Sequence, residues 1–204
     1  MIFTPKQLNK SQMDKLSNPL FLLVLLIFIN SKIQVIQGDD EFIKKTCNNT
    51  QYSDLCISSL KSYPLSSNSD LKGLAIIMVN VAMVNASETY AYLSSQLQVI
   101  SSNISSNNRD TNMKKVYQLC ASLYSYANES LNSTLQDLSL EDYDYATIEV
   151  MGASDYSNSC HNAFNRYHGM DYPMVLKVRE DGFKHICAVI LGIVDQLYSI
   201  DNHS

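Results

Sequence analysis

The sequence contains no Trp and little glycine or proline, with six Gly and four Pro in 204 residues. The glycines lie too far apart to form GxGxxG or GxxxxGK(S/T), which excludes the phosphate-binding loops of nucleotide-binding folds. So few turn residues also argue against a sheet with many tight turns. Neither HExxH nor GxSxG is present, so nothing points to zinc hydrolysis or a serine triad. We therefore expect a protein that is not an enzyme and that binds no cofactor or metal.

The N-terminal segment has the pattern of a secretory signal peptide. Three lysines precede an unbroken apolar run from Leu20 to Ile29, which is too short to cross a ~30 Å hydrocarbon core as a helix. Small residues follow at Ser31 and Gly38, and cleavage after either one fits the pattern. We expect a signal over residues 1–38, a secreted domain over residues 39–204, and no membrane association after the signal is removed.

The charge balance is acidic. The chain has 15 Lys and Arg against 20 Asp and Glu and no basic stripe, which excludes a nucleic-acid partner. Removing residues 1–38 takes away four Lys and one Asp, leaving 11 basic against 19 acidic residues, a net charge of −8. A partner attracted by charge is therefore expected to be basic.

Four segments carry apolar residues at three- and four-residue spacing, the pattern of amphipathic helices. The first begins at the N-cap Asp70 and runs for about 30 residues, and a polar break over residues 103–108 follows it. The second stripe runs from Met113 to Leu138. These two helices are the first half of the predicted bundle.

The remaining two stripes complete it. The third begins at Ser139, with Asp142 three residues later in a capping-box arrangement, and continues to Phe164. The last covers Phe183 to Leu197, and two short helical segments precede the whole set. Because the connections are short, we expect an all-α, up-and-down four-helix bundle with an N-terminal helical hairpin.

Cysteine positions predict how the helices pair. Residues that face each other in an antiparallel helical hairpin lie equally far from its turn. Cys120 and Cys160 have their midpoint at residue 140, where the third helix is expected to begin, and Cys47 and Cys56 centre on a short polar turn. Export favours oxidation. We expect the disulfides Cys120–Cys160 and Cys47–Cys56, with Cys187 as a buried free thiol.

Six sequons are present: Asn48, Asn85, Asn103, Asn128, Asn132 and Asn202. Asn85 continues the apolar stripe of the first bundle helix, so a glycan would not fit there. Asn103 lies in the polar break and is the best acceptor. We expect glycosylation at Asn103, Asn132 and Asn48.

Several local contexts resemble one plant family. They are Thr46-Cys47 with Tyr52 and Cys56, the stretch Asp70-Leu71-Lys72-Gly73-Leu74, Asp142-Tyr143-x-x-Ala146, and Ser159-Cys160 before Phe164. They are similar to the plant inhibitors of pectin methylesterase and invertase, above all to the branch named invertase inhibitors, over about residues 42–197. The resemblance implies a disulfide-bonded bundle of the apoplast or the vacuole that blocks the active-site cleft of pectin methylesterase or acid invertase.

The loop before the last helix does not settle the target. Invertase-directed members are similar to one another in a Pro-Lys-Phe element there, which inserts toward the target's cleft. Here that loop reads His168-Gly169-Met170-Asp171-Tyr172-Pro173-Met174-Val175, with a proline but no Lys-Phe after it. Members directed at pectin methylesterase are similar in using the outer faces of bundle helices to cover the enzyme's cleft. No short sequence motif indicates that ability. Both targets therefore remain open.

A candidate partner interface lies on the third helix and its approach. Acidic residues and tyrosines cluster there: Glu141, Asp142, Tyr143, Asp144, Tyr145, Glu149 and Asp155. Tyrosines anchor interfaces, and an acidic field speeds association with a basic enzyme. The alternative is a solvated helix face with the tyrosines half in the core.

Two further expectations remain. The histidines, His161, His168, His185 and His203, are expected at the surface. A secreted cytokine-like ligand would have long crossover connections, which the short breaks here disfavour. The alternative to an inhibitor is a secreted helical-bundle signalling or storage protein.

Overall fold

A computed structural model describes residues 40–102, 108–167 and 170–201, and all regular structure in these ranges is helical. Contacts divide the chain into the units Met1–Phe42 and Ile43–Ser204. Residues 40–42, at the end of the first unit, are helical. The expected signal and its cleavage sites lie outside the described residues, as do Asn103, Asn202, His168 and His203.

The helices follow one another in simple order. They are α1 (residues 40–48), α2 (Ser53–Lys61), a 3₁₀ turn (Pro64–Asn68), α3 (Leu71–Ser102), α4 (Asn108–Ser139), α5 (Tyr143–Asn165) and α6 (Met174–Asp201). Each of α3 to α6 packs against its neighbours in the chain, and α6 also packs against α3. The expected all-α four-helix bundle with an N-terminal hairpin is confirmed.

Two of the predicted helix starts can be compared directly with the structure. Asp70 caps α3 as predicted, because its Oδ1 accepts a hydrogen bond from the backbone N–H of Gly73 at 2.8 Å. The last predicted stripe, Phe183 to Leu197, lies buried within α6, but the helix begins earlier, at Met174. α6 begins with exposed apolar residues, Met174 and, one turn later, Val178, which break the inward periodicity that the prediction used.

Apolar residues from all four bundle helices form the core. Fully or nearly fully buried residues include Leu74 and Met78 of α3, Tyr124 and Leu131 of α4, Val150 and Phe164 of α5, and Phe183 and Ile190 of α6. By length and composition, α3 and α6 also meet the criteria for membrane-spanning helices. Their contribution to the core accounts for that apolar composition.

Two disulfides cross-link the helices. Cys47–Cys56 joins α1 to α2, with 5.5 Å between Cα atoms, and Cys120–Cys160 joins α4 to α5, with 4.7 Å. Loop-closure entropy gives about 3 kcal/mol for the short loop and about 4 kcal/mol for the long one. Cys187 is free and buried on α6, and burial raises the pKa of its thiol to about 12, so it is unreactive at neutral pH.

The N-terminal hairpin packs on α6 through polar and aromatic contacts. The Gln196 side-chain amide donates to the backbone carbonyl of Thr46 at 3.1 Å, and Tyr52 stacks on His185 with ring centroids 4.0 Å apart. At Gly192 the approach is close, because a Cβ there would lie 3.1 Å from the Cα of Thr50. The absence of a side chain at residue 192 is what lets the hairpin lie on α6.

Gly182 and Gly192 provide a matched test of this contact. We expect Gly182→Leu to raise the free energy of unfolding by about 0.5–1 kcal/mol, because a Cβ there meets nothing within 4 Å and Leu is the better helix former. We expect Gly192→Leu to lower it by about 2 kcal/mol, because the new side chain must displace Thr50. Urea denaturation measures both values, and an equal gain at the two positions would contradict the close approach.

Candidate partner interface

The turn from α4 to α5 has the geometry of a Schellman motif. The backbone N–H of Asp142 donates to the carbonyl of Asp137 at 2.9 Å, and that of Glu141 donates to Leu138 at 3.3 Å. Glu141 occupies the left-handed position, with φ of 61°, where glycine is the usual residue. A non-glycine residue there costs on the order of 1 kcal/mol.

An ion pair holds Glu141 in this position. Its Oε1 lies 2.7 Å from Nζ of Lys72, near the start of α3, and the hydrogen bond with Glu141 raises the pKa of the Lys72 ammonium. The turn is therefore tied to a third helix as well as to the two that it connects.

The predicted capping box at Ser139 is wrong. Ser139 is the last residue of α4, and its hydroxyl donates to the carbonyl of Gln136 at 2.6 Å. Asp142 is the N-cap of α5 instead, with Oδ1 accepting from the N–H of Tyr145 at 3.3 Å. The three-residue turn between the helices places Asp142, not Ser139, beside the free amides of the first turn.

A groove of about 330 Å³ opens beside this turn, where the end of α6 meets the start of α5. Its lining residues are Leu140, Glu141, Asp142, Tyr143, Asp144, Tyr198 and Asp201. Burial, together with the charge of Glu141, raises the pKa of the Tyr143 phenol, so Tyr143 stays neutral. Within the described ranges no three His, Cys, Asp or Glu side chains could hold a metal ion. The groove is an acidic recess that suits a cationic side chain.

The seven predicted interface residues do not form one patch. Glu141, Asp142, Tyr143 and Asp144 line the groove, whereas Tyr145 is 61% exposed on the outer face of α5. Glu149 and Asp155 lie farther along α5, and Asp155 is roughly 16 Å of helix rise beyond Asp144. Tyr143 is buried at the edge of the core. The alternative, in which the tyrosines of this segment pack in the core, therefore holds for Tyr143 and not for Tyr145.

α5 also carries an exposed apolar stripe that was not predicted from the sequence. Tyr145, Ile148 and Met151 are 61%, 60% and 53% exposed and recur every three residues along one face. They are out of phase with the buried residues Ala146 and Val150 of the same helix. That difference in phase could have revealed the stripe from the sequence, because apolar residues that do not face the core are typical of interaction surfaces.

At the other end of the bundle, aromatic contacts hold Tyr172, just before α6. Tyr172 stacks on His161 with ring centroids 4.2 Å apart and meets Phe164 edge-on at 5.2 Å. The carbonyl of Pro173 accepts from the N–H of Lys177 at 3.0 Å, so α6 starts directly after the proline. This geometry exposes the next residue, Met174, to 71%.

A buried carboxylate lies beneath this loop. Glu180 of α6 is 2% exposed and pairs with His161 Nδ1 at 2.9 Å and with Lys184 Nζ. Burial pushes the pKa of Glu180 upward, but the hydrogen bonds from Lys184 and His161 outweigh it and hold the pKa below its ordinary value. The expected surface role of His161 is therefore wrong in part, since its ring packs against the loop. The position of Glu180 in the sequence could have indicated its burial, because it lies four residues after the buried Leu176 and three before the buried Phe183.

Glu180 should make stability depend on pH in acid. Because its pKa is lowered from 4.5 in the folded state, its contribution is present above that value and disappears as pH falls through the folded pKa. We expect Glu180→Gln to lose about 2 kcal/mol at pH 6 and to show a flatter decline below pH 4.5. Denaturant titration at several pH values tests this, with exposed Asp54→Asn as control. Parallel declines in both variants would contradict the assignment.

Glu141 allows a test of backbone strain. Glu141→Gly and Glu141→Ala both remove the ion pair with Lys72, but only glycine relieves the left-handed conformation. We expect the glycine variant to be more stable than the alanine variant by about 1 kcal/mol. Thermal unfolding of the pair measures the difference, and Lys72→Gln reports the ion pair alone. Equal stabilities would argue against a left-handed residue at this position.

Comparisons with known proteins give a consistent picture. The model of the family "Plant invertase/pectin methylesterase inhibitor" matches residues 41–193. The chain is 42% identical over 178 residues to the cell wall / vacuolar inhibitor of fructosidase 2 of Arabidopsis thaliana, covering 87% of this chain and 95% of that protein. It is 31% identical over 157 residues to pectinesterase inhibitor 28 of Oryza sativa subsp. japonica, covering 77% and 69%.

Solved structures agree in fold. A mutant form A of a pectin methylesterase inhibitor from Arabidopsis superposes with a TM-score of 0.57 at 21% identity, covering 73% of this chain and 92% of that one. A second pectin methylesterase inhibitor structure from Arabidopsis thaliana gives a TM-score of 0.53 at 19% identity, covering 76% and 95%. At these identities the likeness concerns the helical bundle alone.

Proposed function

Because the chain belongs to the plant invertase/pectin methylesterase inhibitor family, we propose that it inhibits an invertase-type fructosidase of the cell wall or vacuole. The observation that carries the choice of target is the relative named as an inhibitor of fructosidase, which is 42% identical over nearly its whole length. The relative named as a pectinesterase inhibitor is 31% identical. The mechanism is stoichiometric binding that blocks the enzyme's cleft.

The bundle suits this mechanism because it is rigid. Two disulfides and a continuous core fix the helices, and Tyr172, just before α6, stacks on His161. A preordered surface loses little conformational entropy on binding, so more of the contact free energy contributes to affinity.

The start of α6 is the proposed anchor in the cleft. The family resemblance implies that the loop before the last helix inserts toward an invertase, and here Pro173 is followed by Met174 and Val175 instead of Lys-Phe. Both side chains are exposed, as is Val178 one turn later. An apolar cluster on a fixed turn gives contact area without a charge to desolvate, which supports this end as the inserted element despite the missing Lys-Phe.

The acidic groove and the α5 stripe are the proposed second contact. Glu141, Asp142 and Asp144 present carboxylates beside Leu140 and Tyr143, and the outer apolar residues of α5 lead from this end toward the loop. Carboxylates at the rim steer a basic enzyme surface, whereas apolar residues contribute to the bound state.

The decisive experiment is a parallel titration of the oxidised protein, without residues 1–38, against a plant acid invertase and a plant pectinesterase at mildly acidic pH. Saturable inhibition of the invertase near one-to-one stoichiometry is expected, with the pectinesterase unaffected. Inhibition of the pectinesterase alone would replace the target. Inhibition of neither, with both disulfides confirmed by mass spectrometry, would favour a signalling or storage role.

Met174 tests the anchor. We expect Met174→Asp to weaken inhibition at least tenfold, a loss of about 1.4 kcal/mol, because a carboxylate would be desolvated in the contact. Leu65→Asp is the matched control, since Leu65 is 76% exposed on the 3₁₀ turn. Inhibition constants and thermal stability are measured for both. Equal inhibition by the two variants would exclude the start of α6 from the interface.

Asp144 tests the steering role of the groove. We expect Asp144→Lys to lower the association rate several-fold at low salt and to flatten its salt dependence, with little change in dissociation. Glu88→Lys makes the same charge change on an exposed residue of α3. Stopped-flow or biosensor kinetics at two salt concentrations separate the variants, and indistinguishable rates would mean that only net charge matters.

A further inference from the structure

We propose that the exported protein carries an N-glycan at Asn132, on the outer face of α4, and that its fold excludes a glycan from Asn85 and Asn128. The inference rests on the predicted export and not on the identity of the inhibited enzyme. The three sequons are equivalent as sequence patterns, but only Asn132 is expected to carry a glycan.

Two of the sequons interlock between α3 and α4. The Nδ2 of Asn128 donates a hydrogen bond to Oγ of Ser87 at 2.7 Å, and Ser87 is the hydroxyl residue of the sequon that begins at Asn85. The Oδ1 atoms of Asn85 and Asn128 are both buried. Both side chains are half-buried, with their amide oxygens turned into the contact between the helices.

The close packing beside this pair restricts the space for a sugar. Ala86, which follows Asn85, and Ala127, which precedes Asn128, are both fully buried, so α3 and α4 approach closely here. Because both amide oxygens are buried in this contact, a sugar on either amide nitrogen starts at its edge and crowds the two helices. Interiors at crystal-like density cannot absorb such a volume.

Asn132 occupies a different face of α4. Its side chain is exposed, as are those of Glu129 and Gln136, one turn away on either side. A sugar on its amide nitrogen therefore extends into solvent and leaves the core contacts of α4 unchanged.

The modification must precede folding of α4. The sequon hydroxyl of Thr134 is buried in the folded protein, where Oγ1 donates to the carbonyl of Ser130 at 3.0 Å. The acceptor is therefore the unfolded chain. The Asn132 amide nitrogen attacks C1 of a lipid-diphosphate-linked oligosaccharide, the C1–O bond breaks, the lipid diphosphate leaves, and one amide proton is released to a base.

Folding then sorts the modified chains. A chain with a glycan at Asn132 folds normally, whereas one with a glycan at Asn85 or Asn128 cannot bring α3 against α4 and is not exported. Asn48 belongs to neither group and stays a predicted acceptor. It is exposed, and its Oδ1 accepts a hydrogen bond from Ser53 Oγ at 3.0 Å beside the Cys47–Cys56 disulfide.

The test is glycopeptide mapping of the full chain expressed in plant cells. Secreted and retained fractions are treated with an N-glycan amidase in heavy-oxygen water, which converts each glycosylated Asn to labelled Asp. The proposal expects label at Asn132 in the secreted protein and none at Asn85 or Asn128. Label at either of the latter in secreted, disulfide-bonded protein would overturn it, as would an unlabelled Asn132.

Matched variants give an independent measurement. Asn132→Gln should remove one glycan from the intact mass of the secreted protein, whereas Asn128→Gln should change the mass by the substitution alone. Asn108→Gln, at an exposed non-sequon position of the same helix, controls for substitution in α4. A glycan lost with Asn128→Gln, or none lost with Asn132→Gln, would contradict the proposal, and neither result depends on enzyme inhibition.

Discussion

The register of α5 against α4 is the constraint on which the rest of the structure depends. The buried bond between Cys120 and Cys160 fixes it, and the turn between the helices is then only three residues long. So short a connection needs a left-handed residue, and the chain supplies Glu141. The strained position persists because the disulfide, the Schellman hydrogen bonds and the ion pair with Lys72 all determine it together.

The same register explains what the sequence revealed about the fold. Equal distances from a turn predicted that Cys120 and Cys160 face each other, because antiparallel pairing is a property of chain positions alone. The apolar stripes predicted four bundle helices, because helical periodicity can also be read from residue positions alone. Helix ends were harder, since Ser139 and Asp142 are both good capping residues, and only the backbone of the turn decides which one meets the free amides. The start of α6 was missed because exposed apolar residues, Met174 and Val175, precede its first buried residue, Leu176.

The candidate site was predictable in composition but not in arrangement. Charge counting placed Glu141 and Asp144 near the start of α5, yet it could not show that the end of α6 brings Asp201 into the same groove. Likewise, no sequence spacing links His161 of α5 with Glu180 of α6, because their pairing arises from packing between separate helices. The exposed stripe on α5 was overlooked because the prediction assigned apolar residues to the core.

The two ends of the bundle differ in how their carboxylates are neutralised, and this difference orients the proposed complex. Beneath the loop before α6, Glu180 is buried and paired with Lys184 and His161, and Met174, Val175 and Val178 form an exposed apolar cluster at the start of α6. At the opposite end, roughly 33 Å away along α5, only Glu141 has a described ion pair among the groove carboxylates, and the remaining charge faces solvent. Long-range attraction therefore acts at the groove, whereas close apolar contact is available at the start of α6. An enzyme with a basic rim beside its cleft would be steered by the first and held by the second.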